Sequence, residues 1–117
     1  MSFFGSRNGA APTVDALGQV DTVTAHAWHR SGSCLFIDIR EDNEFAAGHI
    51  PGAVTAPLSR FDQALPAERE GKKAVFYCLS GMRTRANAQR LAAAGFADAY
   101  ILDGGLNAWK AIGAPTE

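Results

Sequence analysis

Short apolar segments alternate with segments of helical periodicity from residue 21 onward, and this alternation limits the choice of fold more than any other feature. Strands that alternate with helices form a parallel sheet covered by helices on both faces. We therefore predict an α/β fold with a central parallel five-stranded sheet. The predicted strands are Val23 and residues 34–39, 53–56, 74–77 and 99–102. The predicted helices start at Thr24, which we take as an N-cap, and cover residues 41–47, 58–65, 82–94 and 106–111.

The first 20 residues differ from the rest of the sequence. They are rich in glycine, alanine and small polar residues and have no clear periodicity. Segments of this kind near a terminus are usually poorly ordered. We predict that residues 1–20 form a flexible N-terminal arm, partly helical around residues 14–17, and that residues 21–117 form one domain.

The composition of the chain indicates a soluble globular protein and gives no sign of a nucleic-acid-binding or membrane protein. A chain of 117 residues is long enough for one domain with its own core, and 47% apolar and 20% charged residues are typical of a soluble globular protein. The net charge of −1 favours neither nucleic acid nor a membrane surface as a partner. No segment has the length of a membrane-spanning helix, and residues 1–5 lack the features of a signal peptide. Two cysteines do not make a disulfide framework, so we expect a cytoplasmic protein.

Cys78 ends the fourth predicted strand and begins a short loop, residues 78–84, that leads into an alanine-rich helix. Backbone N–H groups and the positive end of a helix dipole in such a loop stabilise a thiolate, which is the reactive form of cysteine. The alternative is an inert buried cysteine. Gly81, which allows positive φ, and the positive charge of Arg83 both favour a catalytic nucleophile. Ligands of parallel sheets also bind beyond the carboxyl ends of strands, where Cys78 lies.

Three segments carry a family resemblance. LFIDIRE at residues 35–41, EF at 44–45 and GHIPGA at 48–53 resemble the first signature of rhodanese domains. CLSGMRT at residues 78–84 resembles their active-site loop, and LDGGLNAW at 102–109 resembles their C-terminal signature. The three motifs occur in the order of the family and cover residues 23–115. The resemblance implies a rhodanese-like α/β fold and transfer of sulfane sulfur through a cysteine persulfide.

Loop length separates the activities found on this fold. The sulfur-handling members that the chain resembles have a six-residue loop, here residues 78–83. The related phosphatases have one more residue and an arginine six positions after the cysteine, where this chain has Thr84. Arg83 comes one residue too early, so phosphatase activity is a distant third hypothesis. The second is a non-catalytic regulatory or binding module, since fold alone does not determine function.

The resemblance implies a double displacement. Cys78 takes the outer sulfur from thiosulfate or from a persulfide or polysulfide donor, and a thiol, cyanide or a protein cysteine then removes it. No metal or organic cofactor is expected. The loop residues predicted to bind substrate are Leu79, Ser80, Gly81, Met82, Arg83 and Thr84.

Four of these loop residues have two interpretations each. Arg83 either holds the charged end of the donor or braces the loop. Ser80 either donates a hydrogen bond to the bound anion or is simply small enough for a tight turn. Leu79 and Met82 either form an apolar rim that favours a bulkier thiol or a protein acceptor, or pack inward against the next helix.

The resemblance implies a structural role for Asp38, Arg40 and Glu44, with Arg40 pairing a nearby carboxylate to hold the loop after the second strand. It also implies that His49 marks a conformational turn. Cys34, which begins a buried strand, is expected to pack rather than to react. His26 and His29 lack metal-ligand spacing with any cysteine, and Arg85 is expected to be solvated.

Overall fold

The computed structural model describes residues 17–69 and 71–117, and its centre is a five-stranded sheet. The strands are Leu17–Val20 (β1), Leu35–Asp38 (β2), Val54–Thr55 (β3), Lys73–Tyr77 (β4) and Asp98–Leu102 (β5). All neighbouring strands are parallel, in the spatial order β1-β5-β4-β2-β3. The predicted fold class is confirmed, and the strand that leads into Cys78 lies in the middle of the sheet.

Helices cover both faces of the sheet, as predicted. They are Thr22–Ser31 (α1), Asp42–Ala47 (α2), Phe61–Ala64 (α3), Met82–Ala86 (α4), Ala88–Ala92 (α5) and Gly105–Ala111 (α6), with a 3₁₀ turn at Leu58–Arg60 before α3. In the part of the chain that the structure describes, none of these helices has the length and apolar character needed to cross a bilayer.

The side chains of β4 alternate between two apolar cores. Ala74 and Phe76 point into one core together with Cys78, whereas Val75 and Tyr77 point into the other. This alternation is the period of a strand, and both sets are buried because each face carries helices. Cys78 therefore lies on the face covered by α3 and α5, whose buried side chains include Phe61 and Leu91.

The N-terminal boundary was predicted wrongly. Residues 17–20, assigned to the flexible arm, form β1 at the sheet edge, with Leu17 opposite Ala99 of β5. Val23, predicted as the first strand, lies in α1. The N-cap of α1 is Asp21, whose Oδ1 accepts a hydrogen bond from the Thr24 N–H at 2.8 Å, and not Thr24 itself. Residues 1–16 of the predicted arm lie outside the described residues.

The helix predicted over residues 82–94 is two short helices. They meet at Asn87, whose φ of −114° and ψ of 23° leave the helical region. The Asn87 side chain donates a hydrogen bond from Nδ2 to the Arg83 carbonyl at 2.8 Å. Asparagine side chains compete for backbone partners in this way, and the regular helical pattern is interrupted as a result. Because α4 ends at this break, the Cys78 loop and α4 together span only nine residues, 78–86.

Candidate active site

Cys78 lies directly after the central strand, at the carboxyl edge of the sheet, and is completely buried. The loop turns into α4 at Gly81, which has a φ of 95°. A side chain at this position would be strained by that φ, and its Cβ would come within 2.8 Å of the Arg85 guanidinium. Glycine is therefore required for the tight turn that directs the loop back toward the sulfur.

Polar groups of the loop surround the Cys78 sulfur. The Gly81 N–H donates a hydrogen bond to Sγ at 3.2 Å. The Thr84 hydroxyl lies 3.8 Å from Sγ and donates a hydrogen bond to the Gly81 carbonyl at 2.9 Å. Thr84 is completely buried, so its hydroxyl has no competing water. The loop thus places the Gly81 N–H and the Thr84 hydroxyl beside a sulfur that is shielded from solvent.

These donors control the acidity of Cys78. Burial raises the pKa of the thiol, because the charged thiolate loses water. The backbone N–H groups of Thr84, Gly81 and Arg83 and the Thr84 hydroxyl act in the opposite direction and prevail, so the pKa lies below its ordinary value. The arrangement favours a thiolate, as the loop sequence predicted.

The guanidinium of Arg83 forms a two-pronged ion pair with Glu44. Nη1 and Nη2 of Arg83 each donate to one carboxylate oxygen of Glu44 at 2.9 Å. This pairing lowers the pKa of Glu44 to about 2. Glu44 is thereby part of the site. The structure supports the bracing interpretation of Arg83, and contact of Arg83 with a donor stays a prediction.

Arg40 pairs with a carboxylate, as predicted. Its Nε and Nη2 donate to the two oxygens of Asp38 at 3.0 and 2.7 Å. The same Nη2 donates to the Gly48 carbonyl at 2.7 Å. Both charged side chains are buried, and Arg40 joins the end of β2 to the residue after α2. This fixes α2, and with it Glu44, beside the Cys78 loop.

The N-terminus of α6 holds the other side of the loop, a contact that the sequence analysis did not predict. The Leu106 and Asn107 N–H groups donate to the carbonyls of Cys78 and Leu79, both at 2.9 Å. A Cβ on Gly105 would lie 2.6 Å from the Cys78 carbonyl oxygen and 2.7 Å from that of Leu79. The consecutive glycines of the C-terminal motif were the available signal, since a close backbone approach requires glycine.

Comparison with known proteins assigns this arrangement to a family. The Rhodanese-like domain family matches residues 22–112. The chain belongs to this family. It is 38% identical over 93 residues to the uncharacterized protein slr1261 of Synechocystis sp., covering 80% of this chain and 52% of that protein. The rhodanese-like chain therefore spans about half the length of that relative.

Two further relatives match most of both chains. Thiosulfate sulfurtransferase GlpE of Pseudoalteromonas translucida is 31% identical over 101 residues, which cover 86% of this chain and 85% of that protein. The crystal structure of the Alr3790 protein from Anabaena sp. superposes with a TM-score of 0.75 at 30% identity, covering 84% of this chain and 81% of that one. Both the sequence and the fold are thus similar to those of rhodanese-like proteins along nearly the whole domain.

The mouth of the rhodanese-like loop is partly apolar. Met82 is 68% exposed and Leu79 is 38% exposed, so neither side chain packs inward against the next helix. Ser80 is also exposed and lies between them in the loop. Large exposed apolar side chains beside a reactive group are suited to contact with an organic partner. The structure therefore favours the interpretation of Leu79 and Met82 as a rim.

His49 and Cys34, which the sequence analysis also considered, are not part of the Cys78 loop. His49 Nδ1 is 2.8 Å from the Phe45 carbonyl, and its ring stacks on that of Phe45, which is a structural contact at the turn after α2. Cys34, directly before β2, has its pKa raised to about 11 by burial, so it is a poor nucleophile at neutral pH. Among the described residues no group of three or more histidine, cysteine, aspartate and glutamate side chains has metal-binding geometry.

Proposed function

We propose that this rhodanese-like domain is a sulfurtransferase that carries sulfane sulfur as a persulfide on Cys78. The observation that carries the proposal is the 3.2 Å hydrogen bond from the Gly81 N–H to Sγ, inside a loop that lowers the pKa of the thiol. A thiolate held by backbone amides is a ready nucleophile, and the same amides stabilise a negative charge on an added sulfur. The thiosulfate sulfurtransferase among its relatives supports this assignment.

The reaction has two displacements. The Cys78 thiolate attacks the outer sulfur of thiosulfate, the new Sγ–S bond forms as the S–S bond of the donor breaks, and sulfite leaves with the bonding electron pair. With a persulfide or polysulfide donor the leaving group is a thiolate or a shorter polysulfide. An acceptor thiolate or cyanide then attacks the outer sulfur, and the Cys78 thiolate is the leaving group. Atoms and charges balance without a redox partner or cofactor.

Partners follow from this chemistry. The donor is a small anion with a transferable sulfur, and the acceptor is cyanide, a small thiol or a protein cysteine. The predicted contacts to the donor come from loop residues 79–84, including the Ser80 hydroxyl at the mouth. A free reactive thiol persists in a reducing compartment, so we propose the cytoplasm as the location.

A non-catalytic binding module is the main alternative. An inert module has no use for hydrogen bonds aimed at a buried sulfur, whereas the loop of this chain concentrates them on Cys78. Phosphatase activity is less favoured, because the arginine needed six positions after the cysteine is replaced by the buried Thr84. The Thr84 hydroxyl lies beside the Cys78 sulfur and donates a hydrogen bond to the Gly81 carbonyl, instead of contacting a phosphate oxygen.

Intact-protein mass spectrometry tests the proposal. The wild type is incubated with thiosulfate, inorganic polysulfide or an organic persulfide and then with cyanide. We expect a gain of one sulfur atom that cyanide removes. Cys78→Ser should show no gain, and Cys34→Ser, the matched control, should gain sulfur like the wild type. Sulfur uptake by Cys78→Ser, or no uptake by the wild type from any donor, would contradict the proposal.

A further inference from the structure

Glu44 neutralises the positive charge of Arg83, which one interpretation of the loop sequence assigned to binding an anionic donor. Both terminal nitrogens of Arg83 are engaged by Glu44 at 2.9 Å. Glu44 is itself held in place, since its Oε1 also accepts a hydrogen bond from the Glu41 N–H at 3.1 Å in the capping box of α2. An anionic donor must therefore compete with a positioned carboxylate for Arg83.

Five charged groups, Cys78 and two ion pairs, leave a net negative charge beside the sulfur, and the exposed Arg85 guanidinium against Gly81 is a cation outside this set. The buried pair of Asp38 and Arg40 compensates itself at 2.7 Å, and Glu44 compensates Arg83. The thiolate of Cys78 then remains as the uncompensated charge among these five groups. Thiosulfate brings two further negative charges to this place, and like charges in a partly buried site repel each other strongly.

The rim beside this ion pair suits an organic donor better than an inorganic one. Leu79 and Met82 expose apolar surface at the entrance of the loop. Thiosulfate has no apolar part that would contact this surface, whereas the carbon chain of an organic persulfide would cover it. Charge and apolar surface thus favour the same class of donor.

We propose that Glu44, by holding Arg83, makes the site select organic persulfides of low charge over thiosulfate as the sulfur donor. The inference rests on the proposed sulfur transfer. In the favoured step the Cys78 thiolate attacks the outer sulfur of R–S–SH. The Sγ–S bond forms, the donor S–S bond breaks, and its electron pair leaves on R–S⁻, which takes up the proton of the transferred sulfur to give the free thiol.

Donor competition tests the role of Glu44. Rates of transfer to cyanide are measured with thiosulfate and with 2-aminoethyl hydropersulfide, whose ammonium offsets its negative charge. Glu44→Gln releases Arg83 and should lower KM for thiosulfate about fivefold, the upper range for a partly exposed ion pair, and change KM for the persulfide less than about twofold. Glu44→Asp, which keeps the charge, should retain most of the wild-type preference.

Asp42→Asn is the matched control. Asp42 lies on the same helix and forms a similar two-pronged pair, but with Arg60 and not with a residue of the Cys78 loop. Its removal changes the net charge by the same amount and should leave the ratio of the two KM values unchanged. An equal shift in Asp42→Asn, an unchanged ratio in Glu44→Gln, or a parallel loss with both donors would overturn the inference.

A binding measurement separates this inference from the proposed function. Calorimetric titration of Cys78→Ser with thiosulfate reads anion affinity without any transfer. Adding Glu44→Gln to this variant should raise the affinity about fivefold, and adding Asp42→Asn should not. If the wild type transfers sulfur from no donor, the proposed function fails while this comparison still reports on Glu44. If transfer occurs but the affinities are equal, only the inference about Glu44 fails.

Discussion

At the scale of single residues, the Thr84 hydroxyl lies between the Cys78 sulfur and the turn of the loop, 3.8 Å from Sγ and 2.9 Å from the Gly81 carbonyl oxygen. Thr84→Val removes the hydroxyl at nearly constant volume. We expect the pKa of Cys78 to rise and the rate of sulfur uptake at neutral pH to fall about tenfold, because the hydroxyl that helps to lower the pKa of the thiol is lost. Ultraviolet absorbance of the thiolate, followed against pH, measures the pKa directly.

Thr84→Ser supplies the control, since it restores the hydroxyl and should bring the pKa of Cys78 back toward the wild-type value. The absorbance of Cys78→Ser is subtracted at each pH to remove the contribution of tyrosine. An equal loss of uptake in the valine and serine variants would contradict this role of the hydroxyl, because serine keeps it.

Glu44 gives the stability of the domain a defined pH dependence. Its pKa falls from an ordinary 4.5 to about 2, chiefly because Arg83 donates to it. A lowered pKa stabilises the fold above pH 4.5, and this contribution is lost as pH falls toward 2. Glu44→Gln should therefore be less stable than the wild type near neutral pH, by about 1 kcal/mol for a partly exposed pair, and approach it in acid.

Urea unfolding at a series of pH values measures this difference. The curves of the wild type and Glu44→Gln should converge between pH 4.5 and 2. A difference that stays constant over the whole range would mean that the Arg83 pair does not account for the stability that Glu44 provides.

At the scale of elements, the contact between α6 and the Cys78 loop depends on Gly105. Gly105→Ala places a Cβ within 2.6 Å of the Cys78 carbonyl oxygen, so the loop or the helix has to move. We expect a loss of about 2 to 4 kcal/mol in the free energy of unfolding. The pKa of Cys78 should also rise, because the displaced loop no longer aims its N–H groups at the sulfur. Urea unfolding and thiolate titration measure the two effects.

Gly113→Ala is the control for backbone strain. Gly113 has a φ of 78°, close to the 62° of Gly105, but no atom lies within 4 Å of the position of its Cβ. Gly113→Ala should lower the free energy of unfolding by only about 1 kcal/mol, the cost of the left-handed conformation, and leave the pKa of Cys78 unchanged. Equal effects of the two substitutions would refute the steric account of Gly105.

The same elements show what the sequence predicts and what it does not. The apolar run of β4 and the turn at Gly81 are local signals, so the central strand, the loop and the position of Cys78 between them were predicted correctly. The strand β1 was missed because Leu-Gly-Gln-Val has little strand propensity, and its backbone pairing with β5 decides its conformation. The Arg83–Glu44 pair was missed as a pair, since it joins residues 39 positions apart in the sequence.

At the scale of the whole molecule, Trp109 joins α6 to the core on the face of α1. It is completely buried, its Nε1 donates to the Pro115 carbonyl at 2.7 Å, and its ring meets that of Phe36 edge to face. Trp109→Phe should lower the free energy of unfolding by about 2 kcal/mol, from lost contact area and one unsatisfied carbonyl. Unfolding in urea should remain a single transition, because the two cores share the sheet.

Trp28→Phe is the matched substitution. It should lower the free energy of unfolding less than Trp109→Phe does, because the Trp28 ring is only half-buried. The tryptophan that remains in each variant reports unfolding by fluorescence, and circular dichroism reports it independently. Two separate transitions in either variant would show that the faces of the sheet unfold independently.

The hydrogen bonds between α6 and the Cys78 loop also determine the order in which parts of the newly synthesised chain can fold. A chain synthesised as far as residue 104 contains Cys78 and its loop, but not the Leu106 and Asn107 amides that hold the Cys78 and Leu79 carbonyls. The edge strand β1, made first, also has to wait for β5 before it has a neighbour. An incomplete chain therefore lacks these two hydrogen bonds, and the Cys78 loop gains its final support only once α6 has formed.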